Sequence, residues 1–321
     1  MRQSFSSPIK WITYEEVYEK IQQFGSALTT LMEEISMINF IGIYGKNSPK
    51  WVIAQLAGAA YSFVTVPLYS TFGDEAIVHV INETELKIIV CDTISQACHL
   101  NKINPHKLKV FIIMEPDNTF ESFRKEWSDK VRLFTFEETL EKGCTNRLPE
   151  KVPDDNDLCM ILYTSGSLGL PKGVMITNKA YLNAAKLTIS LAEENMLAMF
   201  SGGRIGFLTD GIESLFDDFR DFKPTFFCSV PRLLVRLYMN FSKKVHSKPI
   251  IRKVSEAYGS TETLGLVCST MFEDIDAYHV GAISPGVQIK LIDVPEMGIF
   301  VSKDQMGEVT FCYISLKIFE C

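Results

Sequence analysis

Several things are scarce in these 321 residues, and each scarcity removes a class of function. Thirty-two basic side chains face 39 acidic ones, for a formal charge of -7, and no basic run occurs. That balance gives no electrostatic reason to expect nucleic acid. The eight cysteines include no C-x-x-C pair and none stands at metal-ligand spacing from a histidine, so reduced, mostly buried thiols are expected rather than a zinc site or a disulfide scaffold. The five histidines, His79, His99, His106, His246 and His279, are scattered and read as structural or surface residues; no Ser-His-Asp or Cys-His arrangement is implied. The N-terminal MRQSFSSPIKWITYEE lacks the apolar centre of a secretion signal, which points to a cytoplasmic chain. Internal repeats and low-complexity segments are also lacking. Only Trp51 to Gly73 is charge-free over a membrane-spanning length, and Gln55, Gly58, Ser62, Thr65 and Pro67 argue there for an internal helix followed by a buried strand.

What is present is ordinary globular material with one unusual stretch. Apolar residues make up 46% and charged residues 22%, in a chain long enough for one large or two moderate domains. The unusual stretch is Leu158 to Thr177, LCMILYTSGSLGLPKGVMIT. Leu158 to Tyr163 is an apolar run of strand length, and Gly173 to Ile176 can return as a second strand. Between them Thr164, Ser165 and Ser167 offer hydroxyls, while Gly166, Gly169 and Gly173 let backbone amides approach an anion. Lys172 adds a mobile positive charge. A Walker-type loop needs glycine before the lysine and Ser or Thr after it, whereas Pro171 and Gly173 occupy those places; the dinucleotide spacing G-x-G-x-x-G is absent too.

The surrounding chain alternates between strand and helix patterns. Thr13 and Glu16 form a capping box ahead of Val17, Ile21, Phe24, Leu28 and Leu31 at helical spacing. Strands are predicted at Asn39–Tyr44, Phe63–Leu68, Leu86–Cys91, Leu108–Met114 and Arg132–Phe134. Helices are predicted from Ser48-Pro49 through Ala60, near Asp74–Asn82, Ile94–Leu100 and Phe120–Trp127. This order argues for layered α/β architecture with parallel strands and a ligand at their carboxyl ends. Beyond the loop, Asn178–Asn195 and Gly211–Phe222 read as helices, and Arg204–Phe207 and Pro224–Val230 as strands, with a helix beginning at Pro231. The acidic group Asp217, Asp218 and Asp221 reads as a solvated helix face rather than a metal site.

A second stretch, Ala257-Tyr-Gly-Ser-Thr-Glu-Thr263, lies far along the chain and by itself could be only a helix-capping turn. Together, in this order, the two stretches resemble the signatures of the adenylate-forming superfamily, which read roughly T-S-G-T-T-G-x-P-K-G and Y-G-x-T-E. Further segments are similar to the long-chain fatty acyl-CoA synthetases: Trp11 to Val17, Val64 to Tyr69, Gly202 to Phe207, Lys223 to Thr225 with Ser229 to Leu234, and Val294 to Gly298. The resemblance implies the layered αβαβα N-terminal domain of such an enzyme. It also implies ATP-dependent activation of a long-chain fatty acid through acyl-adenylate to acyl-CoA, with Mg²⁺ and coenzyme A required. On the same basis Thr164, Ser165, Gly166, Ser167, Gly169 and Lys172 would hold phosphate, Tyr258 would pack its ring on adenine, and Gly259 would belong to the same ATP site. Thr261 would bond the α-phosphate, Glu262 with Thr164 would hold the metal, and Lys172, Thr261 and Glu262 would carry the catalysis. Membrane association is common in that family, so the resemblance allows a cytoplasmic chain placed at the cytosolic face of the endoplasmic reticulum or at another membrane.

Departures limit what carries over. Leu168 stands where the family has a second threonine, which removes one hydroxyl from the cradle. Family segments are missing near 187–200 and 239–255, so the AMP-binding domain is expected over 1–309 in incomplete form, with 310–321 an off-pattern tail. On this reading the T-G-D motif and the C-terminal lid domain of the family are expected to be lacking. The expectation is therefore a chain impaired as a ligase, with a catalytically silent nucleotide- or acyl-binding protein as the alternative and an aryl- or short-acid ligase as a third reading.

Overall fold

The computed structural model describes residues 9–35, 39–104, 107–127, 131–164, 169–187, 199, 201–208, 214–225, 227, 229, 233, 235, 256–263, 265–270, 279–284 and 287–313. The chain divides into two compact units, Met1–Lys179 and Ala180–Cys321.

The first unit is doubly wound. Helix α1 (Tyr14–Glu34) starts where the capping box places it: the Thr13 hydroxyl accepts from the Glu16 N–H, and the Glu16 carboxylate accepts from the Thr13 N–H at 2.6 Å. Strand β1 (Phe40–Tyr44), helix α2 (Pro49–Ala60, with Ser48 as N-cap) and strand β2 (Val64–Leu68) follow. The chain continues through α3 (Asp74–Glu83), β3 (Ile88–Cys91), α4 (Ile94–Ile103), β4 (Val110–Ile113), α5 (Phe120–Trp127) and β5 (Arg132–Thr135). A helix not predicted above, α6 (Phe136–Thr145), then leads to β6 (Leu158–Thr164) and β7 (Lys172–Thr177); α7 (Asn178–Leu187) starts at the end of this unit and belongs mostly to the second.

The sheet order is β5-β4-β3-β1-β2-β6-β7, parallel except for the antiparallel pair β6/β7. Strand periodicity assigns successive side chains to opposite cores. Ile41, Ile43, Ile88, Val90, Val110 and Ile112 pack with residues of α1, α2 and α6; Tyr44, Ile89, Cys91, Phe111 and Ile113 pack with α3, α4 and α5. Both faces of the central strands are therefore covered, which is why they read as unbroken apolar runs. Each fully buried Ile or Phe here stabilises the unit by roughly 1.5–3 kcal/mol. The charge-free stretch after Trp51 is α2 followed by the buried β2, and among the described residues no helix is long and apolar enough to cross a membrane.

The second unit holds α8 (Leu215–Phe222), which ends at Lys223 in a left-handed conformation with φ 52°. Strands β8 (Ala257–Ser260), β9 (Gly265–Ser269) and β10 (Ala282–Ile283) form one antiparallel sheet. Strands β11 (Val287–Ile292) and β12 (Glu308–Tyr313) form another, connected through a 3-10 turn at Pro295–Met297 and a short helix α9 (Val301–Asp304). Strand β12 runs four residues into the segment that the sequence set apart as a tail.

Two strand expectations are corrected here. Arg204–Phe207 is irregular rather than strand, in a glycine-punctuated stretch where Gly206 lies against the Phe222 ring. The described residues of 224–229 are likewise not strand; instead Phe227 packs edge-on to Phe219 of α8 at 4.8 Å. The predicted helix over 178–195 is present to Leu187, and its remainder lies outside the described residues. Of the acidic group, Asp217 and Asp221 are exposed, Asp217 pairs with Arg220 at 3.1 Å and Asp218 accepts from the Ser214 hydroxyl at 2.8 Å, as a solvated face would.

Candidate functional site

The loop at the end of β6 is closed by a strand pair. Thr164 faces Lys172 across the β6/β7 ladder and Tyr163 faces Gly173, so a hydroxyl and an ammonium stand together at the loop's base. The opposite end of the hairpin is tied down by Asn178, whose side-chain amide donates to the Asp157 carbonyl at 3.1 Å. Thr164 is half-buried, Pro171 is buried, and Gly169 and Lys172 are exposed; among the described residues Lys172 makes no ion pair. Ser165, Gly166 and Ser167 lie outside the described residues. A strand-loop-strand unit with an exposed lysine at its mouth, at the carboxyl end of a sheet strand, suits a bound anion.

Gly173 is required by close approach rather than by its φ. A Cβ there would stand 2.9 Å from Ile161 Cγ2 and 3.1 Å from Tyr163 Cζ, so the residue after Lys172 lies against the tyrosine ring. That ring is buried, and its hydroxyl donates to Glu83 Oε2 at 2.5 Å. Burial first, then the Glu83 carboxylate, push the Tyr163 pKa well above its ordinary value, so the phenol keeps its proton. Neither Glu83 nor His79, 3.5 Å from the same carboxylate oxygen, is singled out by sequence.

The second motif is a hairpin, not a helix cap. Tyr258 and Gly259 lie on β8, and the turn at residues 261–263 leads into β9. Thr263 holds this turn: its hydroxyl accepts from the Ser260 N–H and donates to the Ser260 carbonyl, both at 2.9 Å. Tyr258 is 40% exposed, Thr261 is half-buried and Glu262 is exposed. The hairpin thus offers an aromatic face, a hydroxyl and a carboxylate within five residues. The structure brings Thr164 and Lys172 together in the first unit, and Tyr258, Gly259, Thr261 and Glu262 together in the second. Among the described residues no cluster of three or more His, Cys, Asp or Glu side chains could hold a metal by itself. The donors that sequence nominated for Mg²⁺, the Thr164 hydroxyl and the Glu262 carboxylate, are hard oxygens suited to an ion that takes few protein ligands and completes its shell with phosphate and water.

Comparison with known proteins identifies the family. The family described as AMP-binding enzyme matches residues 2–252. Long-chain-fatty-acid–CoA ligase 1 of Homo sapiens is 28% identical over an alignment of 406 positions, covering 98% of this chain and 57% of the relative. Long-chain-fatty-acid–CoA ligase 5 of Rattus norvegicus is 34% identical over 264 positions, covering 73% of this chain and 38% of the relative. The alignments thus span 57% and 38% of the length of these two relatives. Among solved structures, the A-PCP didomain of carboxylic acid reductase from Segniliparus rugosus, in complex with AMP, superimposes with a TM-score of 0.79 at 17% identity, over 96% of this chain and 54% of that one. A benzoate CoA ligase from Burkholderia xenovorans superimposes with a TM-score of 0.73 at 17% identity, over 94% of this chain and 66% of that one. At such identities the likeness establishes the fold.

Proposed function

The chain belongs to the AMP-binding enzyme family, and from that premise we propose that it carries the N-terminal share of a site activating a long-chain fatty acid with ATP. The observation that carries this reading is the Thr164/Lys172 pair closing a hydroxyl- and glycine-rich loop at the carboxyl end of β6, with the lysine free of an ion pair among the described residues. The fatty-acid substrate class is supported by the ligases to which most of the chain is similar.

In the first half-reaction a carboxylate oxygen attacks the α-phosphorus, an acyl-phosphate bond forms, and pyrophosphate leaves. In the second, a thiolate of coenzyme A attacks the acyl carbonyl and AMP leaves. Lys172 and the loop hydroxyls hold the departing phosphates, Thr261 donates to an α-phosphate oxygen, and Tyr258 lays its exposed ring on adenine. Thr164 and Glu262 are the side chains that would hold Mg²⁺, which would supply charge neutralisation on the phosphates. Catalysis of this kind rests on positioning and on fixed donors rather than on a nucleophilic side chain. The length of the human alignment, greater than the chain itself, supports the reading that family segments near 187–200 and 239–255 are shortened here.

Thermal unfolding of the purified chain with and without Mg²⁺-ATP tests the site. A ligand at about 100 times its Kd stabilises the folded state by roughly 2.7 kcal/mol, enough to raise the Tm by several degrees. Lys172→Met should leave the ligand-free Tm nearly unchanged, because the side chain is exposed, and remove most of the rise. Fatty-acid-dependent exchange of labelled pyrophosphate into ATP then reports adenylation. A wild-type Tm that ignores Mg²⁺-ATP would overturn the proposal.

A further inference from the structure

Tyr163 connects the loop's base to a helix far away in sequence. Its side chain lies in the core formed with α3, where the hydroxyl meets Glu83, the last residue of that helix. His79, one turn earlier, stands 3.5 Å from the same carboxylate oxygen and presents its ring edge-on to Tyr163 at 6.4 Å. On its other side the tyrosine ring covers Gly173, the residue that follows Lys172. A hydrogen bond to a charged acceptor is stronger than a neutral one, and a buried phenol deprived of it is left unsatisfied. Rotation of the ring would either strand that hydroxyl or press on Gly173.

We propose that Glu83 is a positioning residue: through Tyr163 it fixes the spacing of β6 and β7 at the loop's base, and with it the placement of Thr164 and Lys172. Glu83 touches no substrate and acts only through the tyrosine. The bracing stands on the contacts above; its consequence for phosphate binding rests on the function proposed in the preceding section. The sequence motif contains Tyr163 but not the acidic partner, which lies 80 residues earlier.

The test uses the full 321-residue chain as wild type, Tyr163→Phe, Glu83→Ala and Glu83→Gln. Hydrogen exchange is followed in peptides covering β6 and β7 and, as a control, β3 and β4, and Mg²⁺-ATP affinity is measured by calorimetry. Tyr163→Phe and Glu83→Ala should speed exchange in the hairpin about tenfold and weaken ATP by a similar factor, with little change in β3 and β4. Glu83→Gln, which keeps an acceptor for the phenol, should restore most of both. Equal acceleration in all four strands with ATP affinity unchanged would mean a merely stabilising contact and would overturn the proposal, as would failure of Glu83→Gln to restore either property. Should Glu83→Ala not fold, Tyr163→Phe, which removes a single oxygen, decides the matter: an unaltered hairpin overturns the brace. A hairpin that responds as stated in a chain whose wild type binds no ATP would support the brace and overturn the phosphate-binding reading instead.

Discussion

The two units hold their motifs in different ways. In Met1–Lys179 the loop hangs from a seven-stranded sheet whose central strands are buried on both faces, against α1, α2 and α6 on one side and α3, α4 and α5 on the other. In Ala180–Cys321 the described strands form sheets of three and two, and their buried cluster consists of Val267, Cys268 and Val287 with the partly buried Ile289 beside them. Burial is the main favourable term in folding and scales with apolar area removed from water. The first unit therefore supports the loop between β6 and β7 with a core of its own, while the second offers the Tyr258 hairpin with little apolar backing among the described residues.

The largest effect expected from one substitution sharpens that contrast. Phe24 is fully buried and stacks on Phe136 at 4.6 Å, joining α1 to α6, so Phe24→Ala should lose about 3–5 kcal/mol. Val267 is equally buried, yet Val267→Ala should cost roughly 2 kcal/mol and leave the protection of β1, β3 and β4 in hydrogen exchange unchanged. If Val267→Ala exposes β1 and β3 as strongly as Phe24→Ala does, the units are not energetically distinct and the comparison breaks.

A smaller effect probes how closely the first unit is packed. A Cβ on Gly143 of α6 would stand 1.7 Å from the Gln23 carbonyl oxygen of α1, a clash with backbone rather than with a movable side chain. Gly143→Ala should therefore force the two helices apart and cost about 1–3 kcal/mol, read from urea midpoints at unchanged m. A neutral or stabilising outcome would mean that the α1/α6 contact yields more easily than the rest of this core.

How much of this was legible depends on the range of the signal. Local chemistry was read correctly: Thr13 and Glu16 start α1, Ser48-Pro49 starts α2, and the strands that the sequence expected in the first unit all exist, with ends shifted by at most two residues or so. The same chemistry was overlooked at Thr135 and Glu138, another capping box, because Thr135 ends β5 and caps α6 with no loop between them. In the second unit a ladder partner decides whether an apolar run is a strand, and partners are not written locally. Hence Arg204–Phe207 was expected as a strand and is not one, while the Ala257 stretch was weighed as a capping turn and is a hairpin. For the site, residue types marked the loop and the lysine, whereas the Tyr163 to Glu83 bond, spanning 80 residues, had no sequence signature.

The smallest expected effect concerns the rim of the first unit, where charge rather than burial connects α1 to β5 and α6. The Glu34 carboxylate pairs with Arg132 and, at 3.3 Å, with Lys142. The Arg132 hydrogen bond, which outweighs the opposing cost of burial, holds the Glu34 pKa below its ordinary 4.5, with Lys142 adding to the effect. A carboxylate whose folded pKa is depressed contributes stability above its unfolded pKa and loses it as the pH falls through the folded value. Because the side chain is 38% exposed, solvent screening limits the contribution to about 0.5–1 kcal/mol. Glu34→Gln should therefore be less stable than wild type at pH 7 by that amount, and the difference should shrink as the pH drops below about 4.5 and Glu34 becomes protonated in the wild type. Added salt at pH 7 should shrink it as well. A gap that persists undiminished at low pH would assign the loss to the shape of the side chain instead of its charge, and the rim would then act as part of the packed core despite its exposure.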